Sequence, residues 1–421
     1  MGINMETNYL YDLLSYSLKR WKSEENRQNE LTELDRKLSG LKNEEWNSII
    51  ETARNHSVLS LMCETVEMLK STSDILTKRT EEHSRSVCQM SYRIFIATRM
   101  LINLLAQEGI KACALKGIAT AAEYEVPELR KSGDVDILLA DPKQIEKAVE
   151  LMTKIGFVKD EKQWTLHHVV MTKGKIIVEI HTMLAEPFDN KEINAYMESR
   201  MKGISEHFVS DGVFGISFVK LDDSYQAYEL LLHMVQHFLN SGFGIKLLCD
   251  WVRFWNREHD EKTKNEYLEM VKESGLKTFS NMVTRACVKY LGLSREYVSW
   301  MNIYDDKLSR EVEEKDTETF MKEIVFSEEF GRQNSERVVA VRGTGVGAYF
   351  KELHHQMKNS FPKAGKCFLI WPILWFITAF RFVRNNRKVR GVSTLSVLKS
   401  AGGRGSLVEK MKLFEKESKT N

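Results

Sequence analysis

Two short runs carry acids where a buried strand ordinarily carries none. The first is Asp134-Val135-Asp136, followed by Ile137-Leu138-Leu139. The second is Glu179-Ile180-His181, preceded by Ile176-Ile177-Val178. Strand side chains alternate between faces. Asp134 and Asp136 therefore share one face, and Val135, Ile137 and Leu139 pack on the other. Glu179 and His181 share a face in the same way, opposite Val178 and Ile180. If the two strands are neighbours, three carboxylates converge. Like charges that close repel, so a proton or a cation must be taken up. Carboxylate oxygens suit Mg²⁺, a hard ion that takes oxygen ligands.

Just upstream, Ile110 to Leu115 reads as a strand, Lys116-Gly117 as a turn and Ile118 to Tyr124 as the opening of a helix. Strand, glycine turn and helix N-terminus form a phosphate cradle, because free N–H groups and the helix dipole point at the ligand. Pro127 and Gly133 bracket a loop carrying Arg130 and Lys131. Further on, Asp222-Asp223-Ser224 caps a predicted helix from Tyr225 to Leu239. His233 and His237 lie on one face of it, four residues apart. Their spacing can bind zinc, but the glutamate of a metalloprotease helix is missing. Interhelical hydrogen bonding and a place in a substrate pocket are the two readings left. Asp250 falls on a second predicted helix, from Lys246 to about Arg257. His167 and His168 occupy adjacent strand positions, so at most one of them faces the site.

The elements that must position these groups follow from the apolar pattern. Residues 1 to about 109 read as helical, with Trp46, Ile49, Ile50 and Ala53 at helical spacing. Lys22 to Asn43 is a charged helix face or loop. A long helix is predicted over Ser84 to Gln107, stopped by Gly109. Pro142 opens another helix, with Ile145, Ala148, Val149 and Met152 as its buried stripe. Trp164 to Met171 and Lys175 to His181 read as a hairpin around Lys173-Gly174, and Phe214 to Leu221 as a further strand. Residues 300 to 345 receive no assignment. The expected architecture is α+β, a small mixed β-sheet with flanking helices plus N-terminal and C-terminal helical regions. The expected division is an N-terminal helical region 1–83, a core 84–221, a helical domain 222–345 and an apolar, basic tail 346–421.

Composition narrows the function classes. The chain has 421 residues, 43% of them hydrophobic and 29% charged, which is ordinary for a globular protein. A net charge of +2, without a basic stripe interleaved with aromatics outside the tail, argues against nucleic acid as a partner. The six cysteines form no CxxC pair, so neither a disulfide framework nor a cysteine zinc site is expected, and a cytoplasmic location fits. The polar, acidic N-terminus predicts no signal peptide. Cys367 to Phe380 is the most apolar run. At 14 residues it is short of the roughly 20 that span a bilayer, and it contains Pro372. Arg381, Arg384, Arg387, Lys388 and Arg390 follow at once. This segment reads as a buried helix, or as peripheral contact of residues 367–390 with anionic lipid on the inner face of a membrane.

Leu115-Lys116-Gly117, Arg130, Asp134-x-Asp136 and Glu179-Ile180-His181 together resemble the bacterial uncharacterised nucleotidyltransferase family of the polymerase β-like superfamily. His233-x-x-x-His237 and Asp250 resemble that family's helical half, and Phe361-Pro362 with the following tail resembles its end. The resemblance covers most of the chain from about residue 40. It implies Mg²⁺-dependent transfer of a nucleoside monophosphate from a nucleoside triphosphate, ATP among the candidates, to an acceptor hydroxyl on a small molecule or protein. Pyrophosphate is released. It implies that Asp134 and Asp136 bridge two Mg²⁺ ions, and that Glu179 holds the second and takes the acceptor's proton. Lys116, Gly117, Arg130 and Lys131 would hold the triphosphate, and His181, His233, His237 and Asp250 would line the substrate pocket. The wider superfamily carries Gly-Ser in the turn, with the hydroxyl on a phosphate. Lys116-Gly117 stands there instead, so Lys116 or Arg130 would have to replace that contact. Two rival readings are a non-catalytic nucleotide-binding regulatory module and a membrane-associated accessory factor for cell-surface polysaccharide assembly. Intact acids at all three positions speak against the first.

Overall fold

Apolar residues at helical spacing build the N-terminal part. The computed structural model describes residues 5–164, 168–239, 242–303 and 310–327, with shorter pieces between 350 and 415. Helices α1 (Met5–Leu18), α2 (Glu24–Leu38), α3 (Asn43–Asn55) and α4 (Cys63–Met68) come first. Ser23 caps α2 by accepting from the Asn26 N–H. The charged segment is therefore a helix that buries only Leu31, Leu34 and Leu38. In α3 the buried residues are Trp46, Ile49, Ile50 and Ala53, as the spacing predicts. Helix α5 (Asp74–Gln107) is 34 residues long. It starts at Asp74 and not at Ser84, because Leu76 and Thr80 add a buried turn to a stretch that otherwise looks polar. The expected core boundary at residue 84 thus falls inside one continuous helix.

The sheet comprises β1 (Ala112–Ala114), β2 (Val135–Leu139), β3 (Val158–Trp164), β4 (His168–Lys173), β5 (Ile176–His181), β6 (Phe208–Val213) and β7 (Ile216–Leu221). It has seven strands in the order β3-β4-β5-β2-β1-β7-β6. Pairs β2–β5 and β1–β7 are parallel and the others antiparallel, so the sheet is mixed. Two strands escape the sequence reading. The charged β3 and the polar β6 are both edge strands, where charge is tolerated and apolar alternation is not required. The expected strand from Phe214 begins only at Ile216, because Phe214-Gly215 is the hairpin turn, with positive φ at both residues.

Helices fill both sides of the sheet. Helix α6 (Ile118–Ala121) is one turn only, shorter than predicted. Then come α7 (Ile145–Lys154), α8 (Lys191–Met201), α9 (Asp223–Leu239), α10 (Ile245–Trp255), α11 (Glu261–Glu273), α12 (Lys277–Tyr290), α13 (Arg295–Val298), α14 (Arg310–Ser327) and α15 (Trp371–Lys388). Pro372 sits in the first turn of α15 and does not interrupt it. His167, Pro362, Cys367 and Arg390 lie outside the described residues. Among those described, no helix is long and apolar enough to cross a membrane.

The two faces of the sheet belong to different cores. Val135, Ile137, Leu139, Val178 and Ile180 pack with Ile94, Phe95, Leu101 and Leu105 of α5 and Met152 of α7. Cys113, Leu115 and Leu138 join the larger core built with Tyr228, Leu231, Trp251 and Trp255 of α9 and α10. Asp134 and Asp136 share the face of Leu138. They are thereby turned toward the α9–α10 half of the molecule.

Candidate active site

The parallel register of β2 and β5 sets Asp136 beside Glu179 and Leu138 beside His181. One ligand oxygen each from Asp134, Asp136 and Glu179 can be chosen so that all lie within 4.8 Å of one another. Lys116 Nζ is 3.0 Å from Asp136 Oδ1. His181 Nε2 is 3.0 Å from the same oxygen. Burial by itself would raise the Asp136 pKa, but the Lys116 ammonium and His181 outweigh it and hold the carboxyl well below its ordinary range. Asp134 moves the other way: repulsion from Asp136, then burial, push it up to about 6. Glu179 is held below its ordinary value, the hydrogen bond to His168 and the charge on Lys116 overcoming burial and the repulsion of Asp136. Lys116 is raised, because four surrounding carboxylates overcome its burial. The donor set fits a divalent cation: all oxygen, closely grouped, and with a mutual repulsion that a cation would relieve.

The turn at Gly117 has φ +56° and ψ −109°, a conformation that glycine adopts without the Cβ penalty. The Leu115 N–H donates to the Asp136 carbonyl over 3.1 Å, which fixes the turn against β2. Because α6 is a single turn, the helix-dipole share of the expected phosphate cradle is small. Lys131 Nζ donates to Ser57 Oγ at 2.7 Å. Arg130 is buried, with Nη1 3.2 Å from Ser132 Oγ. Asp250, expected in the substrate pocket, lies behind Arg130. It is 0% exposed, and its two oxygens accept from Arg130 and from the Tyr124 hydroxyl. Its position is that of a support for Arg130.

A cavity of about 340 Å³ opens between the sheet and the α9–α10 half. Its sheet wall is formed by Lys116, Gly117, residues 130–134, Asp136 and Glu179. Its helical wall is formed by His233, His237, Gly244, Lys246 and Leu247. His181 flanks the acids beside this cavity, bonded to Asp136. The two helical histidines bond to each other, Nε2 to Nε2, over 2.9 Å. Burial and the nearby Lys116 keep both neutral, His233 well below the ordinary value and His237 down at about 4.

Three residues beside the cavity, Ser132, Lys246 and Glu229, escape the sequence reading, which leaves His167 and His168 as alternatives for the site face. Ser132 and Lys246 line it. His168 places Nε2 3.2 Å from Glu179 Oε2. Glu229 is 1% exposed on α9, one turn before His233. Burial pushes its carboxyl up to about 8, although Lys116 and Arg130 pull it down. Its Oε2 has no hydrogen-bond partner among the described residues. The available signal is the spacing Glu229-x-x-x-His233-x-x-x-His237, which puts all three on one helix face.

No curated protein and no solved structure matches the chain. The profile of the family described as uncharacterised nucleotidyltransferase matches residues 42–292, from the cap of α3 to the turn after α12. Phe361 and the tail, expected from the sequence to resemble that family's end, lie beyond this match. With both walls of the cavity and more than half of the chain inside the match, the protein belongs to the uncharacterised nucleotidyltransferase family and is a transferase.

Proposed function

We propose that the protein transfers a nucleoside monophosphate from a nucleoside triphosphate to an acceptor hydroxyl on a small molecule or protein, in a Mg²⁺-dependent reaction at this cavity. Family membership supplies the reaction class. The grouping of Asp134, Asp136 and Glu179 within 4.8 Å carries the reading to these residues. They would hold the Mg²⁺ that the reaction needs, two ions by the resemblance. Bound there, Mg²⁺ would neutralise the triphosphate and lower the pKa of the acceptor hydroxyl. Lys116 and His181 keep Asp136 ionised and oriented. The Gly117 N–H, Lys131, Lys246 and Arg130 offer positive charge to phosphate oxygens and to the charge that develops on departing pyrophosphate. Asp250 fixes the direction of Arg130. Glu179 takes the acceptor's proton on a carboxylate oxygen. His233 and His237, neutral and bonded to each other, line the wall opposite the acids, where the acceptor would lie.

The test is incubation with labelled ATP, CTP, GTP and UTP, Mg²⁺ and a metabolite or protein extract. Label should reach an acceptor with the wild type and not with Asp136→Ala. Undiminished transfer by that variant overturns the reading. Tight nucleotide binding without turnover would favour the regulatory-module alternative.

A second reading concerns α15. Trp371 and Trp375 pack against His354, the latter with Nε1 3.2 Å from Nδ1. Ile373, Phe376 and Phe380 of the same helix are exposed, Phe376 by 73%. Arg384 and Arg387 continue that spacing in the sequence. An apolar face running into basic positions suits the surface of an anionic bilayer. Sedimentation with anionic vesicles, lost in Phe376→Asp and absent with zwitterionic vesicles, is the expected result. Wild-type protein that stays in the supernatant overturns it.

A further inference from the structure

The antiparallel register of β4 and β5 sets His168 opposite His181. Their rings stack with centroids 5.0 Å apart and planes 13° from parallel. Both Nε2 atoms approach one carboxylate oxygen: His168 at 3.2 Å and His181 at 3.5 Å from Glu179 Oε2. His181 Nε2 is also 3.0 Å from Asp136 Oδ1. Ligands held about 2.0–2.2 Å from a common ion stand roughly 3.0–3.5 Å from each other. The two separations to Glu179 Oε2 fall in that range, and the three ligand atoms lie within 4.8 Å of one another. A second observation points the same way. Glu186 Oε1 lies 3.5 Å from His168 Nδ1, at the other nitrogen of the ring. A carboxylate in that place is what orients a metal-ligating imidazole and fixes its tautomer.

We propose that His168, His181 and Glu179 form a second divalent-cation site of mixed nitrogen and oxygen character. Such a set favours a borderline cation, Zn²⁺ or Co²⁺, over Mg²⁺, because imidazole is a poor ligand for the hard ion and a good one for these. The three-oxygen set of Asp134, Asp136 and Glu179 has the opposite preference. Because Glu179 belongs to both sets, the two cations would be neighbours, and filling the imidazole site would fix the orientation of Glu179. The inference does not depend on nucleotidyl transfer occurring at the cavity.

The experiment uses metal-free full-length protein titrated with Co²⁺, followed by its visible absorption and by competition with Zn²⁺ and Mg²⁺. The wild type should bind Co²⁺, yield it to Zn²⁺ and retain it in excess Mg²⁺. His168→Ala should weaken Co²⁺ binding at least tenfold. His168→Asn, closer in shape, checks the same point should the alanine variant not fold. Equal Co²⁺ affinity in a folded His168 variant, or displacement by Mg²⁺, overturns the proposal. Transfer activity that survives Asp134→Asn would overturn the function proposed above and leave this site standing.

Discussion

Asp250 holds Arg130 by two charge-assisted hydrogen bonds of 2.7 Å each, from Nε to Oδ1 and from Nη2 to Oδ2. The pair joins α10 to the loop that leads into Asp134, so the helical half sets the position of the sheet's acids. Removing the carboxylate strands a buried guanidinium. Asp250→Ala should therefore cost about 3–5 kcal/mol of stability. Asp250→Asn keeps the shape and loses the charge, so it should cost less with the same sign. Urea denaturation measures both. A loss below about 1 kcal/mol in the alanine variant would mean that the pair does not anchor the loop.

The neighbouring aspartates should respond in opposite directions in metal-free protein. Asp134 is repelled by Asp136, so Asp134→Asn removes a destabilising charge and should raise the melting temperature, by about 1 kcal/mol of stability. Asp136 is the shared acceptor of Lys116 and His181. Asp136→Asn should lower stability, by about 3 kcal/mol or more, because a buried ammonium loses its counter-charge. In both variants added Mg²⁺ should stabilise less than in the wild type. Shifts of the same sign in the two metal-free variants would contradict this electrostatic account.

Some of this was legible in the sequence, and the reason differs from residue to residue. Alternation along β2 and β5 tells which side chains share a face, so the common face of Asp134 and Asp136 could be read directly. That the two strands pair in parallel, Asp136 beside Glu179, is a tertiary fact that alternation can only suppose. Edge strands β3 and β6 were hidden because their charges look like loop. The task of Asp250 was hidden because its partner lies 120 residues away. Glu229 was hidden for the opposite reason. It sits in a helix so apolar that the pattern reads only as core.

Glu229 gives a pH dependence with a definite sign. Its carboxyl is pushed up to about 8 in the folded protein by burial, against roughly 4.3 in an unfolded chain. Asp136 and Asp250 favour its proton, and Lys116 and Arg130 oppose it. Between those two values the folded state holds a proton that the unfolded state has released. Stability therefore falls as pH rises through this window, by at most about 1.4 kcal/mol per pH unit, and the slope vanishes above about 8. Glu229→Gln mimics the protonated form and should remove this contribution, leaving a flatter profile between pH 5 and pH 8. Urea denaturation of both proteins across that range decides the matter. Parallel profiles would mean that Glu229 is ionised when folded, and then its orphaned oxygen would need a cation or a water close by.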